Sequence, residues 1–362
     1  MPNPYHGRPS YTFWKSGVTD VVACGVDPVI SNAFKINPTD AVATVGSCFA
    51  QHISRTLVSK GLNYVITERY DSTPGAIDEN YGVFPARFGN VYTSRQLRQL
   101  FDRAYGLFRP SIEYWRGKSG EFIDPFRPRI QRGGFASIEL LRADRERHLA
   151  AVRQMFESCR VLVFTLGLTE AWISPKDGSA FPLAPGTVSP ETLEDEAIFH
   201  NLRVGEVISD LTEFLTNFWT VNSEAKVILT VSPVSLIATF EDRHVLVSTI
   251  ASKSILRSAA EEICRDHRTQ VTYFPSYEII TGPQSGAKYF EPDLRDVTPE
   301  GVAFVMSIFE RHFLHGVATD VISAETRPAA SVTAATGTIT QADETRMREI
   351  AAIVCDEEAI IE

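Results

Sequence analysis

The sequence predicts an α/β protein in which helices cover a parallel sheet. Short apolar runs, too short for helices, alternate along the chain with longer stretches whose apolar residues recur at helical spacing. The run 161–166, VLVFTL, is apolar at every position, which is typical of a central strand buried on both faces. A chain of 362 residues with 44% hydrophobic content can bury such a core.

Each predicted element follows from the local pattern. Apolar runs predict five strands, at about 42–45, 62–66, 161–166, 226–231 and 271–274. Helical spacing predicts helices from 48 onward and over 93–105, 137–159, 204–221, 254–265 and 298–313. Strands and helices that alternate in this way form a doubly wound parallel sheet.

The composition divides the chain into three parts. Residues 1–39, rich in Pro, Gly and aromatics without a clear period, are interpreted as a lead-in segment packed on the core. Residues 40–316 form the predicted α/β domain, with an insertion at 106–134 whose arginines give it a basic face. That face is either simply solvated or binds a phosphate or carboxylate. Residues 317–362 are an Ala/Thr-rich acidic tail with a short helix predicted near its end.

Charge and cysteine usage exclude several classes of function. A formal net charge of -10 argues against a general nucleic-acid binder or a protein of anionic membranes. No apolar run reaches the roughly 18 residues of a membrane span, and the N-terminus has no apolar signal segment. The five cysteines show no CxxC pair and no metal-ligand spacing. We therefore predict free thiols, no metal, no cofactor and a cytoplasmic location.

The stretch 41–57, AVATVGSCFAQHISRTL, predicts a strand, a sharp corner at Gly46 and then a helix. Ser47 and Cys48 fall at the helix start, where free N–H groups and the helix dipole favour an anion. A cysteine there can have its pKa lowered, and the same N–H groups can receive an oxyanion. Spacing alone leaves a second interpretation open, namely an ordinary N-cap serine followed by a buried cysteine.

Residues 46–50, GSCFA, resemble the signature of the GSCFA family, which is similar to the SGNH (GDSL) hydrolases. The resemblance covers about 40–313 and implies a three-layer α/β/α sandwich with a five-stranded parallel sheet of flavodoxin-like topology. In those enzymes a Gly-Asp-Ser block ends the first strand and its serine is the nucleophile. Laid on that block, Gly46 matches the glycine, Ser47 takes the Asp place and Cys48 takes the nucleophile place. The resemblance therefore favours Cys48 over Ser47.

Two further blocks of the SGNH pattern supply hydrogen bonds to the oxyanion. Gly89, followed by Asn90, is the match to the first of them, and a turn glycine with a local Asn cap is the alternative interpretation. In the second block, Thr169 and Glu170 stand where those enzymes have Asn and Asp. Thr169 could donate a hydrogen bond, whereas an ionised Glu170 could only accept one.

The terminal Asp-x-x-His block of SGNH enzymes reads Asp293-x-x-Asp296 here, so the expected histidine is absent. We predict that His244 is the base and that Asp296 or Asp293 orients it. Its loop follows the fourth predicted strand at the carboxyl edge of the sheet, and the stretch 243–254 resembles GSCFA members. His52, one helical turn after Cys48, is the rival base.

The resemblance implies acyl-group chemistry at the Gly-Ser-Cys corner. The prediction is hydrolysis of an ester, or transfer of an acyl group, commonly acetyl, to a glycan-like hydroxyl. Its partners are a small-molecule or glycan acyl substrate and, for transfer, an acyl-CoA donor; no oligomeric state is predicted. The alternative is a catalytically degenerate member that binds a glycan or acyl ligand without turnover, as the missing terminal histidine would allow.

Overall fold

The secondary structure consists of nine strands and seven helices in the described part of the chain, besides three short helical turns within the first 25 residues. The computed structural model describes residues 3–69, 80–184, 186–188 and 197–315. The strands are β1 (Val42–Gly46), β2 (Trp115–Arg116), β3 (Phe122–Ile123), β4 (Val161–Leu166), β5 (Glu170–Ile173), β6 (Ala180–Phe181), β7 (Ile198–Asn201), β8 (Lys226–Val231) and β9 (Val271–Phe274). The helices are α1 (Cys48–Ser59), α2 (Ser94–Ala104), α3 (Ile138–Ser158), α4 (Val204–Val221), α5 (Val245–Asp266), α6 (Ser276–Thr281) and α7 (Pro299–Phe313).

The central sheet has four strands in the described residues, in the order β1-β4-β8-β9, and all of them are parallel. Gly46 at the end of β1 pairs with Thr165, and Leu166 at the end of β4 pairs with Val231 at the end of β8. The three strands therefore end at nearly the same level. The residues that follow them meet at one edge of the sheet, which is where parallel sheets build their sites.

The prediction of a fifth strand in this sheet is not confirmed. The segment 62–66 lies beside β1 in the parallel direction but forms a single bridge, between Val42 and Tyr64. Val42 N donates to Asn63 O and Val42 O accepts from Val65 N, each at 2.9 Å. Thr67 N then donates to Pro85 O at 2.7 Å. No ladder forms, because Thr67 bonds to Pro85 and the chain turns away from β1.

Helices pack on both faces of this sheet. Alternate strand residues such as Ala43 and Val45 join the apolar cluster with α2, α3, α4 and α5. Their neighbours, such as Val42 and Val163, join a second cluster with α1, α6 and α7. Strand side chains point alternately to the two faces, so the apolar runs read in the sequence are buried from both sides.

The insertion 106–134 contains the β2–β3 hairpin and a buried ion-pair network. Arg127, 3% exposed, contacts Asp124 at 3.0 Å and Asp144 at 2.8 Å. Asp144 also accepts a hydrogen bond from Arg87 at 3.0 Å. Buried charges persist where they are paired, so Arg127 is part of the interior and not of a solvated basic face.

The lead-in is bonded to the end of the described chain. Ile36 N donates to Phe313 O at 2.7 Å, and His315 N donates to Ile36 O at 2.9 Å. The predicted tail, 317–362, lies outside the described residues, and the division of the chain into its three parts stays a prediction. None of the helices in the described ranges combines the length and apolar character that a membrane crossing needs.

Candidate active site

The corner between β1 and α1 presents two side chains at the carboxyl edge of the sheet. Gly46 has φ +149°, and its O accepts a hydrogen bond from Val91 N at 2.9 Å. Ser47 then occupies the N-cap of α1 with extended backbone angles, φ −79° and ψ −175°. Cys48 is the first residue of the helix, as the sequence predicts. The strand, corner and helix therefore place Cys48 at the N-terminus of a helix, the end where the helix dipole is positive.

A small cleft, open to solvent, lies at this corner. Its walls come from the residues that directly follow the three neighbouring strands, together with α5. Ser47 and Cys48 follow β1, Gly167 follows β4 and Ser232 follows β8. Lys253 of α5 also lines the cleft. The fold thus gathers hydroxyl, thiol and amine groups from four separate stretches of chain.

The Ser47 hydroxyl is buried in the cleft wall without a hydrogen-bond partner among the described residues. Ser47 is 4% exposed, and although it stands at the N-cap its side chain makes no capping hydrogen bond. A buried unsatisfied hydroxyl costs about 1–3 kcal/mol. A ligand oxygen in the cleft could accept this donor, so the hydroxyl is suited to binding and contributes nothing to capping.

Cys48 differs from the other described cysteines in its surroundings. It is half-buried in the cleft, and none of the four described cysteines forms a disulfide. Burial raises the pKa of both Cys159 and Cys264 to about 12, which keeps these thiols protonated and unreactive. Cys24 is exposed. Among the four, Cys48 is the one that a substrate can meet at a helix N-terminus.

Lys253 lines this cleft, although the sequence indicated no role for it. It is 2% exposed, and its Nζ donates a hydrogen bond to Gly167 O at 2.5 Å. The helix that carries it begins at Val245, whereas helical spacing predicted a start at 254. The apolar residues at the start of α5, such as Leu246 and Ile250, are exposed and give no core-facing stripe. A lysine two turns into a helix whose buried face is small and polar is the signal that was missed.

Gly89 and Asn90, the predicted oxyanion pair, line a second small cavity together with Phe88 and Phe126. Gly89 has φ +71°, so the chain turns there in a conformation that glycine adopts easily. Two residues later the chain reaches the cleft, since Tyr92 O accepts from Gly167 N at 2.9 Å. The structure thus places the pair beside the cleft and not in its lining.

Thr169 and Glu170 hold the surroundings of the cleft together. Thr169 Oγ1 donates to Asn201 Oδ1 at 2.6 Å, and Thr169 N donates to Ser252 Oγ at 3.0 Å. Glu170 accepts hydrogen bonds from Thr239 Oγ1 at 2.5 Å and from Phe240 N at 3.1 Å. These bonds fix β7, α5 and the loop after β8 to the end of β4, so both side chains act as positioning groups in this arrangement.

His244, the predicted base, is the N-cap residue of α5 and is exposed to solvent. Its Nδ1 accepts a hydrogen bond from Leu246 N at 3.1 Å. In a neutral imidazole whose Nδ1 is an acceptor, the proton resides on Nε2. The ring does not line the cleft, and its catalytic role stays a prediction.

His52, the rival base, faces the groove between α1 and α7. Its ring meets Phe49 edge-on with centroids 5.6 Å apart, and it lines that groove with Val302 and Met306. Burial, with a smaller contribution from the charge of Arg55, lowers the pKa of His52 to about 4. The ring is therefore neutral at pH 7, on the side of α1 that packs against α7.

Asp293 and Asp296 are bonded within their own loop. Asp293 Oδ1 accepts from Arg295 N at 3.0 Å and Asp296 N at 3.1 Å, and the first of these bonds is the main cause of a lowered pKa at Asp293. Asp296 Oδ1 accepts from Arg295 Nη1 at 3.0 Å. Both carboxylates are exposed and neither lines the cleft. In the described residues no group of three or more His, Cys, Asp or Glu side chains could hold a metal ion.

The fold and the corner define an α/β protein with a thiol and a buried hydroxyl at the carboxyl edge of a parallel sheet. The model of the GSCFA family matches residues 41–309, so the chain belongs to the GSCFA family. No curated protein matches the chain.

Two solved structures are similar over 75% of this chain and 95% of their own chains. One is a carbohydrate esterase family 3 protein from Talaromyces cellulolyticus, at 9% identity and a TM-score of 0.34. The other is a mutant acetyl esterase with an acetate ion, at 10% identity and a TM-score of 0.35. At this level of likeness neither structure decides what the cleft does.

Proposed function

We propose that this protein is an SGNH-like acyl-ester hydrolase or O-acyltransferase in which Cys48 is the nucleophile. The observation that carries the proposal is the position of Cys48, at the first residue of α1 in an open cleft beside a buried hydroxyl that has no hydrogen-bond partner among the described residues. Membership of the GSCFA family supports the same corner as the reactive centre.

The chemistry begins with attack of the Cys48 thiolate on the acyl carbonyl carbon. The carbonyl oxygen then becomes an oxyanion, which needs donors that are already in place. The amides at the start of α1 would supply such donors, and the Ser47 hydroxyl would supply another. The acyl group is held as a thioester until water or a sugar hydroxyl removes it. With a hydroxyl acceptor the same cleft performs acyl transfer, and acyl-CoA would be the donor.

The surroundings of the cleft support an acylated carbohydrate as the substrate class. The hydroxyls of Ser47 and Ser232 and the amine of Lys253 give the cleft a polar lining. On the loop that leaves the cleft, Phe240 is 66% exposed and packs against Trp172, with ring centroids 4.9 Å apart. Phe199 completes the cluster, at 5.2 Å from Phe240. An exposed aromatic face beside a polar cleft suits the apolar face of a sugar ring.

The experiment that tests the proposal measures release of acetate from acetylated sugars by the wild-type protein and by Cys48→Ala. We expect turnover in the wild type and none in Cys48→Ala. The matched control is Cys264→Ala, a half-buried cysteine of α5 outside the cleft, which should keep wild-type activity. Wild-type turnover by Cys48→Ala would show that the nucleophile lies elsewhere.

The second candidate is a degenerate protein that binds a glycan or acyl ligand without turnover. It is favoured by the exposed Asp296, which stands in the histidine place of the terminal block and is bonded to Arg295. Calorimetric titration of the wild type with acetylated sugars separates the two candidates. Binding without acetate release supports the degenerate protein, and release of acetate excludes it.

A further inference from the structure

The cleft contains an amine, that of Lys253, which the SGNH-like scheme does not use. We infer that Lys253 is the acid–base partner of Cys48, so that a Cys–Lys pair performs the work that the pattern of the family would give to histidine. The inference rests on the proposed function of the same cleft. It names the group that holds the thiol proton.

Lys253 is a buried residue of the cleft. The lysine is 2% exposed, yet its side chain lines the cleft that also holds Cys48. Its Nζ donates to Gly167 O at 2.5 Å. Gly167 is itself packed on the reactive corner, since a Cβ built on it would lie 3.4 Å from Ser47 Cβ. The amine is therefore held by a backbone carbonyl of the cleft that Cys48 also lines.

The residues that line the cleft differ in the charge that they can carry. Three of the residues that line it can titrate, namely Cys48, Tyr92 and Lys253, and only Lys253 can be a cation. No carboxylate belongs to this lining as far as the structure describes it. On the neighbouring elements, Glu170 binds Thr239 and Phe240, and Arg243 binds Ser248 at 2.9 Å.

A buried ammonium is costly unless a negative charge or several hydrogen-bond acceptors lie close to it. Within the cleft, the thiol of Cys48 is the group that most readily becomes negative near neutral pH. Transfer of its proton to the amine gives a thiolate and an ammonium, which stabilise each other. The positive end of the α1 dipole favours the same thiolate.

The two histidines proposed as the base lie outside the lining of the cleft. His244 is an exposed N-cap whose Nδ1 accepts a backbone hydrogen bond, and His52 faces α7. Neither lines the cleft, and Asp296 stands where the SGNH pattern has a histidine. A cysteine nucleophile still needs a group that holds its proton and returns it to the leaving group. Lys253 is the residue of the cleft that can do both.

The pair accounts for every proton of the reaction. The Cys48 thiolate forms the S–C bond and the carbonyl electron pair moves to oxygen. The electron pair on oxygen then forms the carbonyl again and the ester C–O bond breaks. The leaving alkoxide takes a proton from the Lys253 ammonium. Water next attacks the thioester while its proton passes to the neutral amine. The S–C bond breaks, the carboxylic acid leaves, and thiolate and ammonium are restored.

The test is the rate at which iodoacetamide alkylates Cys48 across pH 5–9, read from the peptide that contains this residue. Only the thiolate reacts, so the rate reports the proton on sulfur without any substrate. Lys253→Gln keeps an N–H donor for Gly167 O but cannot be charged. We expect Cys48 to be alkylated at pH 6.5 at least about tenfold faster in the wild type than in Lys253→Gln. The control Lys288→Gln changes an exposed lysine paired with Glu300 outside the cleft, and should match the wild type.

An unchanged alkylation profile in Lys253→Gln would overturn the pair. If that variant does not fold, Lys253→Met replaces it, because methionine fills the site without charge. A wild-type profile with an ordinary thiol midpoint near about 8.5 would overturn the pair without any variant. Wild-type ester turnover by Lys253→Gln would also overturn it while leaving the proposed function intact. If Cys48 shows the expected difference in alkylation rate but the protein turns over no ester, the Cys–Lys pair is kept and the hydrolase is rejected.

Discussion

Gly46 and Thr165 lie side by side at the carboxyl ends of β1 and β4, with no room for a side chain on residue 46. A Cβ built there would lie 2.6 Å from Thr165 O and 2.7 Å from Thr165 Cβ. The φ of +149° at Gly46 is also one that residues with a Cβ rarely adopt. This close contact lets the chain turn directly from β1 into α1 and carries Ser47 and Cys48 into the cleft.

The first prediction follows from that contact. We expect Gly46→Ala to lower the free energy of unfolding by at least about 2 kcal/mol, because the new methyl group meets backbone that cannot move aside. Urea unfolding measures the loss. Gly205→Ala is the control, since nothing lies within 4 Å of a Cβ at this position in α4, and it should be neutral or stabilising. Equal stability of Gly46→Ala and the wild type would mean that the corner is less tightly packed.

The second prediction separates binding from capping at Ser47. Because its hydroxyl caps nothing, Ser47→Ala should leave the free energy of unfolding unchanged or slightly raise it. Thr298, whose Oγ1 accepts from Gly301 N at 3.1 Å, is a true N-cap, and Thr298→Ala should cost about 1 kcal/mol. If the Ser47 hydroxyl donates a hydrogen bond to the oxyanion, Ser47→Ala also lowers kcat about 10²-fold. A stability loss equal to that of Thr298→Ala, with unchanged kcat, would assign Ser47 to the helix alone.

The sequence was sufficient for the centre of the fold and for the turn from β1 into α1 at Gly46. The strands at β1, β4, β8 and β9 are short apolar runs buried from both faces, so composition and length identify them. The start of α1 at Cys48 was predicted from one glycine and the helical spacing that follows it. These features depend on local pattern, which a single sequence carries.

The parts that failed depend on contacts between distant segments. The segment 62–66 has the composition of a strand, but the backbone of Pro85 takes the next hydrogen bond and ends the pairing. The start of α5 was missed because Leu246, Val247 and Ile250 are exposed and leave no apolar stripe. Lys253 could not be found because its buried position depends on the carbonyl of Gly167, which lies 86 residues away in sequence.

The third prediction distinguishes the two candidates for the base. The sequence assigns the base to His244, and loss of a positioned acid–base group lowers the rate by about 10²–10⁴-fold. With Lys253 in that role, we expect His244→Ala to retain a kcat close to that of the wild type. Its free energy of unfolding should fall by about 1 kcal/mol, because the α5 cap is lost. A hundredfold fall in kcat would return the base to His244 and contradict the Cys–Lys pair.

The fourth prediction concerns the dependence of stability on pH. The pKa of His52 is lowered to about 4 in the folded chain, mainly by burial, from an ordinary value of 6.5. Between these two values the unfolded chain binds a proton that the folded chain does not. Stability is therefore lost as pH falls from about 6.5 to about 4, by at most about 3 kcal/mol from this group.

Urea unfolding at pH 7 and pH 4.5 measures the stability that each variant loses on acidification. Burial also lowers the pKa of His148 to about 4, and His148 contributes equally to all variants. The contribution of His52 is therefore read as the difference between variants. We expect His52→Gln to lose less stability on acidification than the wild type. His6→Gln, in the exposed lead-in, should behave as the wild type does. An identical acid loss in His52→Gln would mean that His52 protonates in the folded chain near its ordinary pKa.

The central claim is that Cys48 carries the acyl group. Its most direct measurement is mass spectrometry of the protein after rapid mixing with an activated acetyl ester and acid quenching, followed by peptide mapping. The account predicts one acetyl group on Cys48 in the wild type and none in Cys48→Ala, with Ser47→Ala still acetylated at Cys48. Acetylation of Ser47, or turnover without any acetyl group on Cys48, would contradict it.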